Sequence, residues 1–116
     1  MALSVTGSAR GKRNMPQFDV YKLPRDFLPF THAVNMQSDL VLGLPTRVCI
    51  PMAPLARVHA PATRLNPVVE IAGEKLFVMT QHVEAIPEDL LKRPVAALGA
   101  ERFALGNALD FLFHGY

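Results

Sequence analysis

The protein has 116 residues, half of them hydrophobic, and a formal net charge of +2. This length fits one domain with its own core. The longest apolar run, Phe103 to Phe113, is interrupted by Asn107 and Asp110 and is far shorter than the roughly 20 apolar residues of a membrane-spanning helix. A single cysteine, Cys49, excludes an intrachain disulfide, and we expect a cytoplasmic protein with no membrane contact.

The basic charge is concentrated at the start of the chain. Residues 1–14 hold three of the twelve Lys and Arg residues and none of the ten acidic ones. We predict that residues 1–14 are a disordered basic arm or a non-native extension and that residues 15–116 form the folded domain. The domain has nine basic and ten acidic residues, which argues against direct sequence-specific binding of nucleic acid.

Alternation of polar and apolar residues predicts short strands along most of the domain. They are Gln17–Lys22, Ala33–Val41, Arg47–Met52, Pro67–Ile71 and Lys75–Met79. Pro51 suggests that the third strand ends there or lies at a sheet edge. The last two strands form a hairpin around Gly73, which adopts a positive φ without steric cost.

Helical patterns occur late in the chain. Ile86–Leu91 resembles a short helical turn whose first carboxylates, Glu88 and Asp89, complement the helix dipole. The strongest pattern is an apolar stripe at i, i+3, i+4 and i+7, formed by Leu105, Ala108, Leu109 and Leu112. Short strands followed by one helix predict a mainly β fold, either a compact antiparallel sheet or a small barrel with the helix packed on it.

Motifs for catalysis are not found: there is no glycine-rich phosphate loop and no metal-ligand spacing of histidine or cysteine. We predict no cofactor, no metal and no catalytic residue. Cys49 is expected to be a small buried hydrophobe. The histidines are expected in loops or on the surface, and the arginines of the middle segment are expected in solvent, with phosphate contact as the alternative. These residues are His32, His59, His82, His114, Arg47, Arg57 and Arg64.

The C-terminal segment, Phe111-Leu112-Phe113-His114-Gly115-Tyr116, has three aromatic residues among six. A helical stripe that buries Leu112 cannot also bury Phe111 and Phe113, because they point elsewhere around the helix. The segment either folds back onto its own sheet or forms a partner-binding tip or dimer contact.

Ordered segments across residues 15–116 resemble the CcdB family of toxins. They are Gln17-Phe18-Asp19-Val20-Tyr21, Gln37-Ser38-Asp39-Leu40-Val41, Val48-Cys49-Ile50-Pro51-Met52, Asn66-Pro67-Val68-Val69-Glu70-Ile71, Met79-Thr80, Ile86-Pro87 and Asn107 through Tyr116. The resemblance implies an SH3-like small barrel with a C-terminal α-helix, as in CcdB and MazF, and a homodimer.

The same resemblance implies the toxin of a type II toxin–antitoxin system, a non-catalytic inhibitor that binds the A subunit of DNA gyrase and traps the gyrase–DNA cleavage complex. A CcdA-like antitoxin is the second implied partner. By matching position, the gyrase-binding residues are Leu40, Val41, Asp110, Phe113, His114, Gly115 and Tyr116.

The ending departs from the family pattern, because His114-Gly115-Tyr116 stands where CcdB has Trp-Gly-Ile, and Asp110 replaces an asparagine. A tryptophan anchor is therefore lost and a negative charge gained. Two alternatives stay open: an endoribonuclease toxin like MazF and Kid, which share the fold, and an inactive relative that binds only an antitoxin.

Overall fold

The computed structural model describes residues 14–116, so the predicted arm lies almost entirely outside the described residues. The strands are β1 (Asp19–Lys22), β2 (His32–Asn35), β3 (Thr46–Pro54), β4 (Val68–Ile71), β5 (Glu74–Val78), β6 (Glu84–Pro87) and β7 (Pro94–Ala97), and helix α1 covers Arg102–His114. Single 3-10 turns occur at Arg25–Phe27, Leu55–Arg57, Thr80–His82, Glu88–Leu90 and Gly99–Glu101.

All seven strands belong to one antiparallel sheet in the order β4-β5-β3-β2-β1-β7, and β6 pairs with the first half of β3. The sheet curls into a half-barrel, with α1 as the C-terminal helix. The predicted mainly β fold with one C-terminal helix is therefore confirmed. No helix within residues 14–116 combines the length and the apolarity needed to span a bilayer.

β3 is the longest strand and lies in the middle of the sheet, with Pro51 inside it. The prediction that Pro51 marks a strand end or an edge is wrong. On one side of β3, β6 pairs with Thr46 through Cys49 and β5 pairs from Met52 onward. Pro51 lies between the residues of β3 that pair with these two strands, and its carbonyl accepts from the Met79 N–H at 2.9 Å, just beyond the end of β5. The N–H that proline lacks is therefore missing from a position outside both paired segments.

The hairpin of β4 and β5 is confirmed. Its turn has two residues, Ala72 and Gly73, with φ of 51° and 85°. Two consecutive positive φ values define the tight turn whose twist matches that of the flanking strands. The apolar side chains of Val69 and Ile71 then face the core, while Val68 and Glu70 face solvent.

The sheet is buried on both faces at its centre, because neighbouring residues of a strand point to opposite sides. Val20, Val34, Ile50 and Leu105 belong to the main core, which includes α1. Their strand neighbours Tyr21, Ala33 and Cys49 join a second cluster on the other face, which also includes Met15, Ile86 and Leu91. Burial of Cys49 is confirmed, and burial raises the pKa of its thiol to about 12.

Two secondary-structure expectations are wrong in part, and strand β7 was missed. β2 ends at Asn35, because from Met36 onward the chain forms a loop stabilised by side-chain hydrogen bonds. In the segment predicted as a helical turn, Ile86 belongs to β6 and a 3-10 turn begins only at Glu88. Strand β7 was not predicted, since its Pro-Val-Ala-Ala sequence has no alternating pattern and forms a strand only by pairing with β1.

Two polar side chains that were expected in solvent are buried. His32 lies in β2 with Met52 opposite, and its Nδ1 is 2.8 Å from the Thr31 hydroxyl. Burial lowers the pKa of His32; the charge of Glu74 opposes this shift, and the charge of Lys22 adds to it. Arg47 is also buried, beside Glu88. In contrast, His59, His82, His114, Arg57 and Arg64 are exposed, as predicted.

Candidate functional site

The C-terminal end of α1 presents an aromatic tip, which we define as Phe113, His114 and Tyr116. Phe113 is 65% exposed and Tyr116 is 77% exposed. Gly115 adopts the left-handed conformation with φ of 81°, and its N–H donates to the Phe111 carbonyl at 2.9 Å. Glycine ends the helix there at no β-carbon cost. The chain then turns back, and the Tyr116 ring stacks on the His114 ring, with centroids 5.8 Å apart.

Packing explains which aromatic side chains remain in solvent. Leu105 and Ala108 are completely buried and Leu109 packs against the main core. Phe111 and Leu112 are half-buried, whereas Phe113 points away from the core. The segment does not fold back over its own sheet as a whole, so the exposed rings of the aromatic tip are available for contact with another molecule.

Arg64 supports the last turns of α1. Its guanidinium lies over the Phe111 ring, 4.3 Å from the ring centroid, a cation–π contact. An open cleft of about 470 Å³ continues from this contact. Its lining residues are Thr63, Arg64, Pro67, Ala104, Asn107 and Tyr116. Sequence patterns predicted Arg64 in solvent, with phosphate contact as the alternative, and did not indicate its contact with α1, which depends on the fold.

The loop between β2 and β3 exposes a second apolar group, the apolar loop, defined as Leu40 through Leu44. Leu40 is 90% exposed and Leu42 is 77% exposed, and Val41 and Leu44 are also exposed. The predicted site includes Leu40 and Val41 but not Leu42 and Leu44. The run Leu-Val-Leu-Gly-Leu was the available signal, because Gly43, with φ of 80°, allows a turn, and the aliphatic side chains around it are exposed.

Acidic groups flank the apolar loop. Asp39 accepts a hydrogen bond from the Gln17 main-chain N–H at 2.7 Å. Partial burial and the nearby Asp39 charge together raise the pKa of Asp19. The apolar loop therefore presents aliphatic side chains beside a negative charge.

The predicted site residues fall into two groups. Asp110, Phe113, His114, Gly115 and Tyr116 lie together and exposed on the last turn of α1 and just beyond it. Leu40 and Val41 belong to the apolar loop, which precedes the start of β3. Arg64 lies in the connection that follows the end of β3. A single copy of the chain thus presents two surfaces, associated with opposite ends of its longest strand.

Groups suited to catalysis are not assembled on these surfaces. Among residues 14–116, no three His, Cys, Asp or Glu side chains are grouped so that they could hold a metal ion. Arg47 and Glu88 form an acid–base pair, yet both side chains are buried and so out of reach of a polymeric substrate. Cys49 is buried with a raised pKa, so its thiol stays protonated near neutral pH.

Comparison with known families shows a match over nearly the whole described domain. Residues 17–115 match the family described as CcdB protein. The chain belongs to the CcdB family. Membership supports the assignment of this CcdB-family protein as the toxin of a toxin–antitoxin system, and the curled sheet with its C-terminal helix is consistent with the CcdB fold.

Proposed function

We propose that this CcdB-family protein binds the A subunit of DNA gyrase and traps the gyrase–DNA cleavage complex, without catalysing a reaction itself. The observation that supports this proposal best is the aromatic tip, two of whose side chains are mostly in solvent. Exposed aromatic side chains are frequent anchors of protein–protein interfaces. The proposed contact residues are Leu40, Val41, Asp110, Phe113, His114, Gly115 and Tyr116.

Further partners follow from the same proposal. The protein acts as a homodimer in the cytoplasm, where gyrase is found, and a CcdA-like antitoxin neutralises it. An antitoxin that covers the aromatic tip or the apolar loop would compete directly with gyrase for those residues. Because the tip has His114 and Tyr116 in place of the family's tryptophan and isoleucine, its shape selects a gyrase surface that differs from the usual one.

A gyrase cleavage assay with the full-length purified protein tests the proposal. We expect linear, gyrase-cleaved DNA to accumulate when the protein is added to gyrase and supercoiled plasmid. Replacement of Phe113 by alanine, or removal of Gly115 and Tyr116, should reduce the affinity for gyrase at least 30-fold, because an anchor side chain contributes about 2 kcal/mol or more.

Phe103→Ala is the matched control for Phe113→Ala. Phe103 lies on the same helix and is 73% exposed, but it is at the opposite end from the aromatic tip. This variant should trap gyrase as well as the unmodified protein. Equal trapping after removal of Gly115 and Tyr116 would exclude the tip from the mechanism. Growth arrest with fragmented messenger RNA and no cleaved DNA would instead support the endoribonuclease alternative.

A further inference from the structure

Arg47 and Glu88 form a buried ion pair directly beneath the apolar loop. The Arg47 Nη1 is 2.6 Å from the Glu88 Oε2, and the two side chains are 8% and 0% exposed. Arg47 is the second residue of β3, and Glu88 begins the 3-10 turn that follows β6. Charged side chains are rarely this buried unless each has a partner, so the pair has a defined role in the fold.

Arg47 and Glu88 donate hydrogen bonds to main-chain carbonyls where the apolar loop joins β3. The Arg47 Nη1 donates to the carbonyls of Leu44 and Thr46, both at 3.1 Å. The main-chain N–H of Glu88 donates to the Pro45 carbonyl at 2.9 Å. Three consecutive carbonyls at the end of the loop are thus bound by these two residues, which leaves this limb of the loop little freedom.

The opposite limb is held by a separate set of hydrogen bonds. The Val48 N–H donates to the Gln37 Oε1 at 3.1 Å, and the Leu40 N–H donates to the Ser38 hydroxyl at 3.1 Å. Between the two limbs, Leu40 and Leu42 are almost fully exposed. Side chains in solvent contribute little packing, so the conformation of the apolar loop depends on the bonds at its two ends.

We propose that Arg47 and Glu88 are positioning residues, which keep the apolar loop in one conformation before a partner binds. The consequence for gyrase rests on the proposed function: a loop already ordered loses less conformational entropy on binding, so the complex is tighter. Neither side chain needs to touch the partner. Arginine is suited to this position because its planar guanidinium can face a carboxylate and two carbonyls together, which a lysine ammonium does not do in the same geometry.

The test compares the full-length protein with the double variant Arg47→Met/Glu88→Met, which removes both charges without leaving one of them unpaired. Backbone ¹⁵N order parameters for residues 40–44 should fall from about 0.85 to about 0.6 or lower. Those of β2 and β3 should stay unchanged. Arg47→Lys, which keeps both charges, should give an intermediate loss of order and provides the measurement if the double variant does not fold.

Binding to gyrase is measured on the same proteins. The double variant should bind gyrase about tenfold more weakly. Val69→Ala is the control, because Val69 is a core residue of β4 and lies far from the apolar loop in sequence. It should destabilise the fold without changing the order parameters of the loop or the affinity for gyrase. Unchanged order parameters in the double variant would overturn the inference, and so would lost order with full affinity. If the unmodified protein does not bind gyrase, the proposed function fails, and the order parameters alone decide whether the pair positions the loop.

Discussion

Two buried asparagine side chains in this protein, Asn35 and Asn66, bind main-chain groups. Asn35 is completely buried, and its amide donates to the carbonyls of Met15 and Pro16, at 3.0 and 3.2 Å, while its Oδ1 accepts from the Gln37 N–H at 3.1 Å. Asn66 similarly donates to the Val78 carbonyl at 3.2 Å. Such residues hold loops in place because an unpaired buried amide costs about 1–3 kcal/mol.

His32 predicts a pH dependence of stability. Its pKa is lowered in the folded protein from the ordinary value of 6.5, mainly by burial. When pH falls below 6.5, the unfolded chain takes up a proton that the folded protein still excludes, so the free energy of unfolding decreases. Well above pH 6.5 the residue is neutral in both states and contributes no pH dependence.

Urea unfolding at several pH values between 8 and 4.5, for the unmodified protein and for His32→Gln, measures this effect. Glutamine keeps a hydrogen-bonding group near the Thr31 hydroxyl but does not titrate. The stability difference between the two proteins should shift toward the variant as pH falls. A difference that is constant over the range would contradict the assigned burial of a neutral imidazole.

At the scale of secondary-structure elements, α1 contains a residue that weakens it. Gly106 has ordinary helical backbone geometry, and a β-carbon added there would meet nothing within 4 Å. Glycine costs about 0.5–1 kcal/mol relative to alanine inside a helix. We therefore expect Gly106→Ala to increase the free energy of unfolding by about that amount, as measured by urea denaturation.

Gly73→Ala is the control of opposite sign. A side chain there also meets nothing within 4 Å, but the turn between β4 and β5 requires φ of 85°. A non-glycine residue with left-handed geometry costs about 1–2 kcal/mol, so this variant should be less stable. Destabilisation by both substitutions would show that the helix packs more tightly around Gly106 than the structure indicates.

At the scale of the whole molecule, Met15 marks the expected start of the folded domain. Its side chain is 6% exposed in the second core cluster, and its carbonyl accepts from the buried Asn35 amide. A polypeptide of residues 15–116 should therefore unfold at the same urea concentration as the full chain. One that starts at Gln17 loses the burial of Met15, about 1.5–3 kcal/mol, and the carbonyl partners of Asn35, about 1–3 kcal/mol.

Circular dichroism during urea titration of the three polypeptides measures these differences. Equal stability of the chains that start at Met15 and Gln17 would show that Met15 adds nothing to the core. A large loss on removal of residues 1–14 would place the domain boundary earlier than predicted.

Local sequence patterns were sufficient to predict the elements whose main-chain hydrogen bonds join residues close together in sequence. The hairpin of β4 and β5 and helix α1 follow from alternation, from a Gly at the turn and from an apolar stripe, since their main-chain partners are only a few residues away. The exposed aromatic tip was one of two structures that the sequence allowed. It follows from the helical period, because a helix that buries Leu105 and Ala108 turns Phe113 away from the core.

Tertiary structure alone decided the features that depend on distant residues. Pro51 is tolerated in a central strand because the pairing with β6 ends at Cys49 and the pairing with β5 begins at Met52. β7 is a strand because β1 pairs with it. Arg47 is buried because Glu88, on another element, provides its counter-charge. The sequence by itself therefore indicated the family and the class of fold, and it left the aromatic tip as one of two interpretations. Packing in three dimensions determined that the tip is exposed, which polar residues are buried and how the apolar loop is held. The physical reason is that periodicity reports a residue's neighbours along the chain, and burial depends on its neighbours in space.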